Sequence, residues 1–436
     1  MTRMSITLAM ILVAAPAAAQ GETVALVGAR VLPGEGAALE EATIVIRGGR
    51  IVSVTPGRAA PAGARVVDCA GATITPGFIA TETSLGLVEI DLETSANDQA
   101  LEGDDADPIR ASFSAVDGYN PGSALIPVAR MGGVTSVVST PVGGLVSGTS
   151  ALFDLRGATP AEALVDETAA LRVSLSDQAI HAAGGARSSA IARLREVLED
   201  ARLYRTRRAA YERRQVRELA LSTLDLERLS SALAGELPVV VHVSRASDIL
   251  RVLELGRTYG LRLVLAGAEE GWRVAARIAA ADVPVIVQPL TNLPTSLSTL
   301  HSRYDNAALL HRAGVRVVLA TGAPHDVRTL RQEAGNAVRA GLPADVALRA
   351  LTVEPARVFG VDDRYGTIAP GRVANLVVWT GDPFEVTTWA RQLFIRGHEV
   401  PMRSRQSLLF ERYRDLDAVP RGQRGLPRRQ IEYHFQ

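Results

Sequence analysis

PVVVHVSRASDILRVLEL, Pro238–Leu255, changes its periodicity once. Pro238–Val243 is a short, nearly continuous apolar run, and a helical pattern follows it. An apolar run of this length reads as a strand buried on both faces. The same texture recurs along the chain. Strand-like runs lie at Thr73–Ala80, Thr135–Thr140, Ser150–Leu155, Leu171–Leu175, Arg262–Ala266, Pro284–Gln288 and Val315–Ala320, again separated by helical patterns. Buried runs alternating with helices argue for an α/β protein with a parallel sheet. Eight of them favour a closed (β/α)8 TIM-type barrel over an open doubly wound sheet.

The 436 residues carry 47 basic and 47 acidic side chains, a formal charge of zero. Every basic residue is arginine, for the chain has no lysine. That removes Schiff-base catalysis, a P-loop lysine and a carboxylated-lysine metal bridge. The charge balance argues against nucleic acid as a partner, which asks for a basic excess. A hydrophobic share of 47% with 22% charged residues is globular composition. Cys69 is the single cysteine, so neither an internal disulfide nor a Cys-rich metal site is available.

Residues 1–19 read as a secretory signal: Arg3, an apolar Ile6–Ala15, and Ala17-Ala18-Ala19 before cleavage near Ala19/Gln20. The run is too short to span a bilayer, and no later segment is long and apolar enough, so no transmembrane segment is expected in the mature chain. A periplasmic or secreted location follows. Thr23–Val67 alternates like short antiparallel strands, with Gly48-Gly49 as a hairpin turn. Tyr365–Thr380 is strand-like again and is expected to pair with it. Residues 20–75 and 366–402 would then form a small composite β-sandwich domain, 76–365 the barrel, and 403–436 an irregular arginine-rich tail. Ser188–Gly235, rich in Arg, Glu, Leu and Ala, reads as a solvated helix pair across the barrel mouth.

With these segments in order, the chain resembles the amidohydrolase superfamily, and most of all its secreted imidazolonepropionase-like group. The resemblance covers nearly all of Ala25–His398. It is carried by GATITPGFI from Gly71, by DGYNPGSALIPVARMGGVTSVVSTPVGGLVSGTSALFDL from Asp117, and by PVVVHVSRASDILRVLEL. RAGLPADVALRALTVEPARVFGV from Arg339 and GTIAPGRVANLVVWTGDPFE from Gly366 complete it. It implies the barrel, the flanking β domain and hydrolysis of carbon–nitrogen bonds at a metal centre.

The same resemblance shows what has changed. Active members end the first barrel strand in Pro-Gly-x-Ile-Asp-x-His-x-His, two histidines facing one metal. Here the stretch reads PGFIATETS, with Ala80, Glu82 and Ser84 at those positions. The fourth-strand lysine is absent, and Asp177 is the nearest carboxylate. The fifth-strand histidine is kept as His242, which on sequence alone reads first as a hydrogen-bonded core histidine and only second as a ligand. The sixth-strand histidine falls on Gly267, and the eighth-strand aspartate, which activates the metal-bound water, falls on Gly322. His242 is thus the one surviving ligand, with Glu82 as a possible second. A zinc site needs three or four N, O or S ligands. No cofactor is expected, or a single zinc or manganese ion if the site is rebuilt.

His325 and Asp326, just past Gly322, are candidate catalytic residues that would converge with Glu82 and His242 at the mouth. The competing reading places Asp326 in the first turn of the last helix. Ser84 lacks the frame of a nucleophile elbow. The acidic Glu89–Asp107 reads as a solvated loop, or as oxygen ligands for calcium without EF-hand order. Gly143–Thr149 reads as a tight turn, or as an anion cradle without a phosphate-loop pattern.

The expected function is that of a non-catalytic homologue, binding a small-molecule ligand at the old mouth or acting as partner subunit of an active amidohydrolase. The alternative is an active hydrolase of C–N bonds in cyclic amides or dipeptides, with an atypical mononuclear site. A third reading, a structural envelope module using the tail Arg403–Arg429, rests on charge alone.

Overall fold

The computed structural model describes residues 22–101 and 107–414. Residues 1–19, expected above to be a signal, the tail beyond residue 414 and part of the acidic loop lie outside them.

The chain begins with five strands: β1 (Val24–Val31), β2 (Leu39–Arg47), β3 (Arg50–Pro56), β4 (Arg65–Asp68) and β5 (Thr73–Pro76). Eight barrel strands follow: β6 (Phe78–Thr83), β7 (Val134–Ser139), β8 (Val146–Asp154), β9 (Leu164–Ser174), β10 (Val239–Val243), β11 (Leu263–Gly267), β12 (Val285–Val287) and β13 (Val317–Leu319). Then come β14 (Leu376–Trp379), β15 (Ala390–Ile395) and β16 (His398–Glu399).

The two ends of the chain share one sheet, in the order β16-β15-β14-β5-β1-β2-β3, with β4 also on β1. The join is the antiparallel pairing of β14 with β5, Leu376 opposite Pro76. The second sheet domain is thus built from both chain ends, as expected. Its strands form one continuous sheet that returns on itself, because the Ile51 N–H on β3 donates to Arg372 O at 2.9 Å and the Gly371 N–H to Ile51 O at 2.8 Å. Leu26, Ile44, Ile51, Ile74, Leu376 and Phe394 fill it.

The second sheet runs β13-β12-β11-β10-β9-β8-β7-β6, a nearly closed (β/α)8-type barrel. Each expected run contributes a strand, with two corrections. Thr73–Ala80 is two strands, divided at Gly77, whose N–H donates to Asn375 O at 2.8 Å. A side chain at Gly77 would put its Cβ 2.1 Å from Thr135 Oγ1, so the crossing from one sheet to the other needs glycine. The sheet is also not wholly parallel. β8 is antiparallel to both β7 and β9. The connection 140–145 is too short for a parallel crossover, which takes a dozen or more residues. Gly143 and Gly144, both with positive φ, make the turn instead.

Alternation along the strands sorts the core. Ile79, Val138, Leu152, Ala170, Val240, Val264, Ile286 and Val318 point into the barrel. Val173, Val239, Val241, Val243 and Leu265 point outward. Against the outward set pack Leu194 and Val197 of helix Arg187–Thr206, Leu226 and Leu229 of helix Thr223–Leu233, and Ile249 and Val252 of helix Ala246–Tyr259. The Ser188–Gly235 segment therefore belongs to the barrel wall rather than lying across the mouth. Its apolar stripe finds a partner in the strands' outer faces, which leaves the arginines in solvent.

At the end of β8 a fully buried carboxylate, Asp154, draws the barrel and the C-terminal segment together. It accepts from Ser136 Oγ (2.8 Å), Asn375 Nδ2 (2.8 Å), Tyr365 Oη (3.0 Å) and Arg396 Nε (2.5 Å). The tail is not irregular throughout. Arg405–Tyr413 is helical, started by a reciprocal cap between Ser404 and Ser407.

Candidate functional site

Parallel strands β10 to β13 place their C-terminal ends, and the segments that follow them, at one rim, the usual seat of barrel chemistry. Glu82, Ser84, His242, Gly267 and Gly322, the positions singled out by the resemblance, lie on or just past the strands that end at this rim.

On β6 strict alternation would turn Glu82 outward with Ala80, which belongs to the outer core. The pairing with β7 slips between Ala80 and Thr83, and Glu82 adopts φ 55°. This bulge with a left-handed residue re-aims the side chain. Its carboxylate meets the Arg172 guanidinium, whose Nη1 donates to both oxygens. Both side chains are nearly sealed from solvent, 5% and 10% exposed. Arg172 lies on β9 opposite Val240, on the inward-facing register of the barrel. Ser84 is buried and donates through Oγ to Thr140 O at 2.9 Å.

His242 on β10 sits between Ser174 of β9 and Ala266 of β11. Its Nδ1 is buried with no hydrogen-bond partner. Burial, with a smaller push from Arg172, lowers the ring to about 3, so it is neutral at physiological pH. The core-histidine reading expected a hydrogen bond there, and the Nδ1 atom has none.

Beyond β11 the backbone takes two successive left-handed residues, Gly267 at φ 77° and Ala268 at φ 45°. They fold Glu269 back over the strand. A Cβ at Gly267 would lie 3.0 Å from His242 Cε1 and 3.1 Å from both Glu269 carboxylate oxygens. The space beside Gly267 is filled by Glu269. Burial pushes this carboxyl up, with Ser244 opposing, and its Oε2 has no partner. On the eighth strand, a Cβ at Gly322 would lie 3.0 Å from Gln288 Oε1, which accepts from Thr291 Oγ1 at 3.0 Å. Gln288 thus fills the space beside Gly322.

Glu82, Ser84, Arg172 and Gly322 share the wall of a cavity of about 350 Å³, with Asp91 and Gln99 from the loop after β6. His325 and Asp326 do not join this wall. They lie in the turn Pro324–Thr329, each about half exposed, with His325 Nε2 3.7 Å from Asp326 Oδ2. Asp326 sits in the first turn, as the helix-start reading has it. Asp177 is likewise engaged elsewhere, with Arg187 at 3.0 Å and Ser298 Oγ at 2.6 Å. Within the acidic loop, Glu89 accepts from the Ala124 N–H at 2.9 Å. Among the described residues no three His, Cys, Asp or Glu side chains are placed to hold one metal ion. None of their helices is long and apolar enough to cross a membrane.

Arg172, Glu269 and Gln288 are the site residues that sequence reasoning missed. Arg172 carried a signal, an arginine inside an otherwise apolar strand run, LRVSL. Glu269 and Gln288 carried none, because the left-handed pair and the packing over glycine are set by the fold.

Comparison with known proteins agrees with this architecture. Residues 231–400 match the family model described as the amidohydrolase family. Amidohydrolase tasK of Hapsidospora irregularis is 23% identical over 78% of the chain, which spans only 38% of that relative's length. The crystal structure of an amidohydrolase from Thermotoga maritima superposes with a TM-score of 0.79 and 26% identity, covering 87% of this chain and all of that one. Molinate hydrolase, at 18% identity and a TM-score of 0.56 over 94% of this chain and all of its own, shares the fold.

Proposed function

The chain belongs to the amidohydrolase superfamily, and from that premise we propose that it is a non-catalytic member. It acts either by binding a small molecule at the barrel mouth or by standing beside a catalytic relative as its partner subunit. The single observation that carries this reading is the fate of Glu82. The one carboxylate at a former ligand position is closed on Arg172, a cation where the family's chemistry calls for a metal. Ser84 is spent on a backbone carbonyl, and glycines hold the sixth- and eighth-strand positions. His242 keeps a free nitrogen, yet one imidazole falls short of the three or four ligands of a zinc centre. The residues present do not fit a metal.

A second reading, hydrolysis of a C–N bond at an atypical mononuclear site, is favoured by two atoms only. His242 Nδ1 and Glu269 Oε2 are buried without partners around Gly267. The periplasmic or secreted location belongs to the proposal as well, on the signal-like residues 1–19.

Metal content decides between the two. The chain from Gln20 onward is purified without chelator, incubated with zinc and manganese, desalted and analysed by mass spectrometry. Near-zero occupancy is the expected result. One metal per chain, lost in His242→Ala, together with turnover of a dipeptide and lactam panel, would replace the first reading by the second.

A further inference from the structure

The chain is electrically balanced, but its charge is not evenly spread. At the barrel end opposite the mouth, a groove of about 1260 Å³ runs between helices Ala246–Tyr259 and Ala275–Ala280, over the starts of β11, β12 and β13. Six arginines line it, Arg251, Arg257, Arg262, Arg277, Arg316 and Arg357, against two carboxylates, Glu254 and Asp282. Arg251 pairs with Glu254 at 2.9 Å and Arg316 with Asp282 at 3.2 Å. Arg357 pairs with Glu354 at 3.2 Å and with Glu35, and Arg262 donates to Val358 O at 2.9 Å. Arg257 and Arg277, both exposed, have no carboxylate within 4.0 Å among the described residues. Leu250, Leu261 and Leu263 give the groove an apolar floor.

The mouth end carries the complement. In the loop after β6, Leu92 is 99% exposed and Ile90 58% exposed, with exposed Asp91 and Glu93 interleaved. A leucine held wholly in water forgoes about 1.5–3 kcal/mol of burial. Its acidic neighbours match an arginine-rimmed, apolar-floored receptor in both charge and polarity.

We propose that Ile90–Glu93 of one copy docks into the arginine groove of a second copy of this chain. Leu92 covers the apolar floor, and Asp91 and Glu93 supply the carboxylates that Arg257 and Arg277 lack. Loop and groove lie at opposite ends of the barrel, so the contact is head-to-tail and each bound copy still offers one loop and one groove. Such an interface builds a ring or an open chain of subunits. What the mouth itself binds does not enter this inference.

Sedimentation velocity across a concentration series tests it. The wild type is expected to at least double its mass with concentration at low salt and to revert to monomer at high salt, where exposed charges are screened. Arg257→Glu/Arg277→Glu and Asp91→Arg/Leu92→Arg are each expected to remain monomeric. Mixed together, the two charge-swapped chains are expected to associate again. All four positions are exposed, and matching melting curves would establish that the variants fold. A wild type that stays monomeric at every concentration overturns the proposal, and so does association that either variant leaves unchanged. Failure of the swapped mixture to associate overturns it too. A monomeric wild type that binds poly-glutamate, with binding lost in Arg257→Glu/Arg277→Glu, would also overturn it and assign the groove to a foreign acidic chain.

Discussion

Arg172 and Glu82 meet across the barrel mouth from strands that are not neighbours, β9 and β6. The guanidinium reaches both carboxylate oxygens of a residue that is left-handed and set in a bulge. A non-glycine residue in that conformation costs about 1–2 kcal/mol. The contact it permits is buried, so the strain and the ion pair are held together by the same bulge.

This pair yields the first prediction. Taking two charges out of water costs several kcal/mol per ion, offset only while both partners are present. Glu82→Leu and Arg172→Met should each destabilise the chain by about 3–5 kcal/mol, since each leaves one charge buried and unpaired. Glu82→Leu/Arg172→Met should fall well short of the sum of the singles. Chemical denaturation of the four proteins in a double-mutant cycle measures this. Additive losses would mean that the two charges do not depend on each other.

Gly267 supports the second. Its φ of 77° and the near contacts awaiting a Cβ, 3.0 Å to His242 and 3.1 Å to Glu269, act in the same direction. Gly267→Ala should cost about 1–3 kcal/mol, from backbone strain at a left-handed position together with the displaced carboxylate. Its effect should shrink in Gly267→Ala/Glu269→Ala, where the space is vacated. Thermal melts of the two variants give the comparison.

The barrel was legible in the sequence because its evidence is periodic. Each of the eight apolar runs holds one barrel strand, as burial on both faces demands of Pro238–Val243 between helices. The reversed β8 was legible too, had the short 140–145 connection been weighed against the length of a crossover. At the mouth, Glu82, Ser84, Gly267 and Gly322 were singled out only through the family resemblance. What surrounds them was not legible, because Glu269 arrives through two left-handed residues and Arg172 through a contact 90 positions away in sequence. The placement of Ser188–Gly235 was misjudged for a related reason. Its arginines dominate the composition, while the narrower stripe of Leu194, Val197 and Ala201 decides where it packs.

Asp154 and Arg396 give the third prediction. Asp154 is fully buried at the end of β8 and bound by four donors, two of them from the C-terminal segment, Asn375 and Arg396. Asp154→Ala would strand these donors, and unmet buried hydrogen bonds to a charge cost about 1.5–3 kcal/mol each in this setting. The loss should be among the largest of any single substitution, with Arg396→Ala close behind. Because the network ties β8 to the β14–β16 segment, limited proteolysis of Asp154→Ala should cut earliest near residues 375–400. Cleavage elsewhere would show that the carboxylate is not the clamp between these two parts.

Glu333 provides the pH-dependent case. It is buried in helix Leu330–Arg339 and accepts from the Leu290 N–H at 2.8 Å, in the loop that follows β12. Burial raises its carboxyl from 4.5 to about 7, against the Leu290 hydrogen bond. A raised value in the folded chain means that the native state keeps this proton where the unfolded state has released it. Between pH 4.5 and about 7 the native state binds more protons, so stability falls as pH rises through that window and is level above it. The contribution is of order 3 kcal/mol, from about 1.4 kcal/mol per pH unit. Glu333→Gln keeps an acceptor for Leu290 and removes the ionisation. It should match the wild type near pH 4.5, melt higher than the wild type at pH 8, and flatten the slope between them. Parallel melting curves for the two proteins across that range would show that Glu333 is ionised in the folded chain at no cost.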